Sequence, residues 1–181
     1  EQEGWKPFLE AFEANPYLAD FYTDMKTWSF HSQIFFLSRR LQHHHALTQY
    51  PGTVVQDRSV YEDAEIFARN LFLQGNMSER DYQTYRDLYD GVRAFLPAPN
   101  LVVYLQAPVG VIAERIAGRG RDYERRITID YLVQINALYE EWASNWKTCR
   151  LIRIPAEKYD YAHDEAALER VVHQIQAALE S

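Results

Sequence analysis

Leu101-Val102-Val103-Tyr104-Leu105 is an apolar run with no polar interruption. A strand with one wet face alternates apolar and polar residues, so a continuous run marks a strand covered on both faces, the pattern of a parallel sheet. Pro97 and Pro99 separate it from what precedes it. Working outward, Thr53-Val54-Val55-Gln56 reads as a shorter strand released by Pro51-Gly52. Residues 5–9 read as another, which Pro7 confines to an edge or an irregular position. Residues 151–154 read as the last. Helical periodicity fills the intervals. It predicts helices over residues 20–48, 60–72, 78–95, 108–118 and 128–146, and a closing helix from about Asp164. Trp28, Phe30, Ile34, Phe35, Leu37 and Leu41 give the longest helix a broad apolar face. Asn15-Pro16 marks a turn, Gly75 a helix stop, and Ser78 with Asp81 three residues on a helix start. Strands alternating with helices predict an α/β fold, a parallel sheet flanked by helices in three layers. Without repeats or linkers, residues 1–181 read as one domain.

The bulk numbers narrow the function. The chain has 181 residues, 47% of them hydrophobic, and a net charge of −7. That is enough for a proper core, and the acidic balance argues against a nucleic-acid polymer as partner. The single cysteine, Cys149, excludes an internal disulfide framework and a thiolate zinc cluster. No apolar run is long enough to span a membrane and no signal peptide is visible, so a cytoplasmic setting is the expectation. Glu1-Gln2-Glu3-Gly4 reads as the end of a helix, and residues ahead of Glu1 are expected in the natural protein.

Against that acidic background, Arg115, Arg119 and Arg121 stand four and two apart around Gly118 and Gly120. On a helix that gives way to a loop they can converge on one highly charged anion, because the planar guanidinium donates to two phosphate oxygens at once. The alternative is a solvated helix end with favourable cation–dipole contacts. In open parallel sheets ligands bind beyond the carboxyl ends of the strands. Glu10 falls at such an end and suits a general base, or is a surface glutamate. Asp57-Arg58-Ser59 falls at another. Arg58 there can neutralise a carboxylate base or contact a phosphoryl oxygen, or it is a structural ion pair. Gln33 and Arg40, seven apart, lie on one helix face, and Gln offers the paired donor and acceptor that match a nucleobase edge. Asp63 and Phe67, four apart, share a face of the next helix. Asp63 can pair with Arg40 while Phe67 stacks on a base, or Phe67 is plain core. His43-His44-His45 reads as a solvated helix end, since adjacent helical residues point about 100° apart and cannot share a metal.

Together these residues resemble the deoxynucleoside kinase family along most of the chain. Residues 10–22, with Glu10 followed by Asn15-Pro16-Tyr17-Leu18 and Phe21-Tyr22, resemble its first signature. Trp28-Ser-Phe-His-Ser-Gln33 and the Phe-Leu-Ser-Arg that follows are similar to its base-recognition helix. Asp57-Arg-Ser-Val-Tyr-Glu-Asp63 is similar to its second signature, and Arg119-Gly-Arg-Asp-Tyr-Glu124 to its lid. The resemblance implies a P-loop kinase-like fold with an Arg-rich lid. It implies transfer of the γ-phosphoryl of ATP, with Mg²⁺, to the 5′-hydroxyl of a deoxyribonucleoside. Glu10 would be the base with Arg58 beside it. Gln33 would pair with the nucleobase, Phe67 would stack on it, and Tyr22 and Glu124 would hold the sugar. Arg115, Arg119 and Arg121 would close over the donor phosphates. Arg40 with Asp63 resembles the subgroup that accepts deoxyadenosine, deoxyguanosine or deoxycytidine, and the bacterial character of the segments favours a purine. A homodimer is implied as well. The family's Gly-Lys-Ser/Thr phosphate loop has no match here and is expected ahead of Glu1. The alternatives are a thymidylate-like nucleotide kinase and a non-catalytic nucleotide-binding module.

Overall fold

The computed structural model describes residues 4–9, 15–120, 127–158, 161 and 164–180. The chain falls into two compact units, Glu1–Pro97 and Ala98–Ser181.

In the first unit β1 (Lys6–Phe8) pairs in parallel with β2 (Val54–Gln56), Phe8 opposite Gln56. The parallel register brings the carboxyl ends of both strands to one edge. The single helix expected from residue 20 is two, α1 (Leu18–Thr23) and α2 (Met25–Thr48). Asp24 leaves helical backbone, at φ −143° and ψ 86°, and its carboxylate accepts from the Thr27 amide at 3.2 Å and the Thr27 hydroxyl at 2.6 Å. That cap satisfies amides orphaned at a helix start, so a local polar signal ends one helix and begins the next ahead of the apolar stripe.

The face that α2 buries also differs from the expected one. Of the six apolar residues that define the sequence stripe, only Leu37 is buried. The buried face is Ser29, Ser32, Gln33, Leu37, Arg40 and His44, at helical spacing and mostly polar. Buried polar groups need partners. Ser29 donates to the Met25 carbonyl, and Ser32 accepts from the Asn15 side-chain amide at 3.0 Å. Asn15 also accepts from the Tyr17 amide at 2.9 Å, which closes the turn predicted at Asn15-Pro16.

Residues 60–72 are helical as expected but not uniformly α. A short α3 (Val60–Glu62) runs into a π-helical segment, Asp63–Ala68, and then into α4 (Arg69–Leu73). Ser78 starts α5 (Glu79–Arg93) by accepting from the Asp81 amide at 3.1 Å. Phe72 stacks on Tyr82 at 4.4 Å, and Arg86 pairs with Glu65 at 2.9 Å, so α5 is tied to the segment before it. Tyr85 and Tyr89, one turn apart on α5, are buried.

In the second unit β3 (Leu101–Gln106) pairs in parallel with β4 (Arg150–Pro155) along its whole length. The helices are α6 (Val109–Arg119), α7 (Ile129–Asn145) and α8 (Glu165–Glu180), with α6 against α7 and α8 against both strands. Tyr104 and Ile154 are buried, whereas Leu105 is 46% exposed, so β3 is less covered than its apolar run predicts. The Tyr104 hydroxyl and the Gln106 amide both donate to Glu140, at 3.0 and 2.7 Å, and fasten α7 to β3. Among the described residues no helix is long and apolar enough to cross a membrane.

Candidate active site

The polar face of α2 is the place to build from. Gln33 is 6% exposed, and its carbonyl oxygen has no hydrogen-bond partner among the described residues. An orphaned buried acceptor costs about 1–3 kcal/mol, so it marks a position where a donor is awaited. Two turns along the same face, Arg40 meets Asp63 at 3.2 Å, with both side chains 4% exposed. Arg40 also donates to the Asp57 carbonyl at 3.3 Å, which ties α2 to the end of β2. The Asp57 amide donates to Phe8 at 3.0 Å and extends the β1–β2 ladder by one bond, so Asp57-Arg58-Ser59 begins where the sheet ends.

Arg58 follows with left-handed backbone, φ 60°. Its guanidinium lies over the Phe67 ring, 4.3 Å from the centroid. Both residues are half-buried. Next, Ser59 starts the helix through a reciprocal cap. Its amide and its hydroxyl donate to the Glu62 carboxylate, at 2.6 and 2.7 Å. Burial pushes the Glu62 carboxyl above the usual range, while the Ser59 bonds and the charges of Arg58 and Arg40 pull it down. Glu62 is a member of this constellation that the sequence reading missed. The signal was present, since Ser59-Val-Tyr-Glu62 is a Ser-x-x-Glu capping box.

His44 corrects another expectation. It is 8% exposed, so one of the three histidines points inward. Its Nε2 has no partner among the described residues and the ring hydrogen-bonds the Pro97 backbone, so Nδ1 donates to that carbonyl. Burial lowers its pKa. Tyr22 is half-buried on α1, its ring edge-on to Phe21 at 5.3 Å. Glu10 lies outside the described residues. Its place in the chain is two residues past Phe8, as Arg58 is two past the paired Gln56.

In the second unit Arg115 and Arg119 lie on α6, one turn apart, and Gly120 ends that helix with φ 64°. Left-handed backbone costs glycine nothing, so the chain leaves the helix directly after Arg119. Arg115 commits one amino group to the Ala156 carbonyl at 2.8 Å, which orients the side chain along the end of β4. Arg121 and Glu124 fall outside the described residues. The structure therefore gathers Arg40, Asp63, Arg58 and Phe67 at the end of β2 in the first unit, places Gln33 on the same buried face of α2 as Arg40, and sets Arg115 and Arg119 on one helix of the second.

Comparison with known proteins places the chain. The deoxynucleoside kinase family profile matches residues 1–180. The deoxyadenosine/deoxycytidine kinase of Bacillus subtilis is 37% identical over 178 residues, covering 97% of this chain and 82% of that protein. A deoxyguanosine kinase of Lactobacillus acidophilus is 33% identical over 182 residues, covering 95% and 78%. Among solved structures, the deoxyadenosine kinase of M. mycoides with dCMP and dCDP bound superposes with a TM-score of 0.83 at 28% identity, covering 97% of this chain and 88% of that one. The same enzyme with dATP gives 0.82. The helix-rich architecture with parallel strand pairs is that of the P-loop kinase-like α/β fold, and the chain belongs to the deoxynucleoside kinase family, phosphotransferases acting on a deoxynucleoside hydroxyl.

Proposed function

We propose that the protein transfers the γ-phosphoryl of ATP to the 5′-hydroxyl of a purine deoxynucleoside, deoxyadenosine or deoxyguanosine. The observation that carries this reading is the buried Arg40–Asp63 pair on the same helix face as Gln33 with its unpartnered oxygen. An amide and a charge-assisted pair offer donors and acceptors in fixed positions, which is what reading a base edge requires. Relatives named for deoxyguanosine and for deoxyadenosine, one of the latter for deoxycytidine as well, support the purine choice.

In this mechanism Phe67 stacks on the base, while Tyr22 and Glu124 hold the sugar. Glu10 accepts the proton of the 5′-hydroxyl, and Arg58 stabilises the oxygen as it attacks. Arg115, Arg119 and Arg121 compensate the charge that spreads over the donor phosphates. Mg²⁺ accompanies the triphosphate. When bound it neutralises phosphate charge. The proposal includes a single kinase domain over residues 1–181, a homodimer and a cytoplasmic setting where ATP is supplied.

The test is a steady-state assay of the full-length protein with ATP and Mg²⁺ against the four deoxynucleosides and their monophosphates. The purine deoxynucleosides should give the highest kcat/KM, and Glu10→Gln should lower kcat about 10²-fold with little change in nucleoside affinity. Preference for monophosphates would make it a nucleotide kinase. Nucleotide binding without turnover would make it a binding module.

A further inference from the structure

Two peptide planes meet at Arg58, and their rotation about its Cα is its φ and ψ. Its φ of 60° lies in the left-handed region, and Arg58 is the one non-glycine residue there among those described. A side chain with a Cβ is strained in that region and stays where its surroundings impose it. Here both planes are pinned. In the plane before Arg58, the Asp57 carbonyl accepts from Arg40 at 3.3 Å. Asp57 is itself held in the sheet ladder, its amide donating to Phe8 at 3.0 Å. In the plane after Arg58, the Ser59 amide donates to the Glu62 carboxylate at 2.6 Å. The Ser59 hydroxyl donates to the same carboxylate oxygen at 2.7 Å.

A capping box ordinarily serves the helix that it opens, by satisfying amides at its start. This one reaches further back, because the Ser59 amide belongs to the same peptide as the Arg58 carbonyl. A carboxylate is a strong acceptor, and two short bonds to it are of the size that holds one left-handed residue in place. We propose that Glu62 is a positioning residue for Arg58: its grip on Ser59 fixes the peptide plane after Arg58 and holds the strained backbone that carries the guanidinium to the reaction site. Released from that grip, Arg58 returns to ordinary backbone and its guanidinium leaves its seat, 4.3 Å from the centre of the Phe67 ring. Glu62 then touches no substrate and acts on the chemical step through the backbone alone. The charges of Arg58 and Arg40 also act on the Glu62 carboxyl, so its reach and its charge are separated by experiment. The inference rests on the role proposed above for Arg58.

The experiment compares Glu62 variants of the full-length enzyme in wild-type and Arg58→Ala backgrounds. The substrates are a purine deoxynucleoside and ATP with Mg²⁺, and kcat and KM are read separately. Glu62→Asp keeps the charge and shortens the reach to Ser59. Glu62→Gln keeps the reach and drops the charge. Glu62→Asp should lower kcat about 5- to 30-fold, the shift in population that released left-handed strain represents, with nucleoside KM within about 2-fold. Glu62→Gln still accepts from Ser59 and should stay within about 3-fold of wild type. In the Arg58→Ala background, itself slower, neither variant should lower kcat further. Melting temperatures check that each variant is folded. Ser59→Ala removes one of the two bonds; it replaces Glu62→Asp if the latter does not fold, and should lower kcat with the same dependence on Arg58. If Glu62→Asp lowers Tm with kcat intact, Glu62 is a helix cap only. If it lowers kcat by the same factor in both backgrounds, it acts elsewhere. If Glu62→Gln is as slow as Glu62→Asp, charge and not reach governs. Each of these three results overturns the positioning role and leaves that of Arg58 standing. If Arg58→Ala leaves kcat unchanged, the catalytic role of Arg58 fails and the positioning role fails with it.

Discussion

Arg40→Met is the most informative single change in the first unit. The Arg40–Asp63 pair is closed at 3.2 Å, and each side chain is only 4% exposed. Removing one member of such a pair leaves an uncompensated buried charge, at a cost of about 3–5 kcal/mol. The Asp57 carbonyl also loses its bond from Arg40, 3.3 Å long, a smaller term of about 0.5–1.5 kcal/mol. A loss of roughly 4 kcal/mol lowers Tm by about 8–16 °C in a chain of this size. The double variant Arg40→Met with Asp63→Leu removes both charges and should recover most of that loss, since apolar replacement of a buried pair is often close to neutral. Urea midpoints of the wild type, both single variants and the double variant close the cycle. If the single variant costs less than about 1 kcal/mol, the value of an exposed pair, or the double costs as much as the single, the energetic reasoning is refuted. The folded double variant then reports on function. It should weaken purine deoxynucleosides and favour thymidine, and an unchanged ranking would leave the pair a structural role only.

Arg121→Ala should lower kcat and raise the apparent KM for the triphosphate, about tenfold or more, with nucleoside binding by calorimetry unchanged; loss of nucleoside binding instead would move this segment to the acceptor. Tyr85→Phe removes a hydroxyl that is buried without a partner among the described residues, and whose ionisation burial pushes well above the usual phenol range. It should raise stability by about 1 kcal/mol, and a loss of stability would reveal a partner the hydroxyl serves. Burial lowers the His44 pKa below the usual 6.5, so the unfolded chain binds that proton more readily than the folded one. The His44 contribution is complete above that value and is lost as pH falls through it toward the folded pKa. His44→Leu should flatten the urea midpoint between pH 7.5 and 5.5 relative to wild type, and an equal slope in both proteins would refute the assignment.

The element order was legible from periodicity and punctuation. Pro51-Gly52, Gly75 and Ser78 act where the sequence reading placed a boundary, because capping and turn chemistry are local. The split at Asp24 was equally local, an Asp with Thr27 three residues on, but helical periodicity on both sides of it masked the signal. The buried face of α2 was not legible. Phe30, Ile34 and Phe35 outweigh Ser29, Ser32 and Gln33 on any hydrophobicity count, yet the polar set is the one turned inward. What decides its burial lies on other segments, with Asn15 for Ser32 and Asp63 for Arg40. The Arg40–Asp63 pairing was foreseen because two opposite charges on two helices are visible in a sequence. The seat of Arg58 on Phe67 was not, since it depends on one residue's left-handed backbone and on the pitch of the helix that follows.

The wide turn at Asp63–Ala68 has a consequence for changes of chain length. A π turn spends one residue more than an α turn to cover the same axial distance. Deleting one residue within it would let the segment relax to a regular α-helix over the same rise, so the helical turns on either side would keep their phase. Elsewhere on the surface a loop absorbs such a change at little cost. Here the wide turn itself absorbs a single codon lost, whereas a codon gained has no such outlet, so this stretch should admit a one-residue deletion more readily than an insertion.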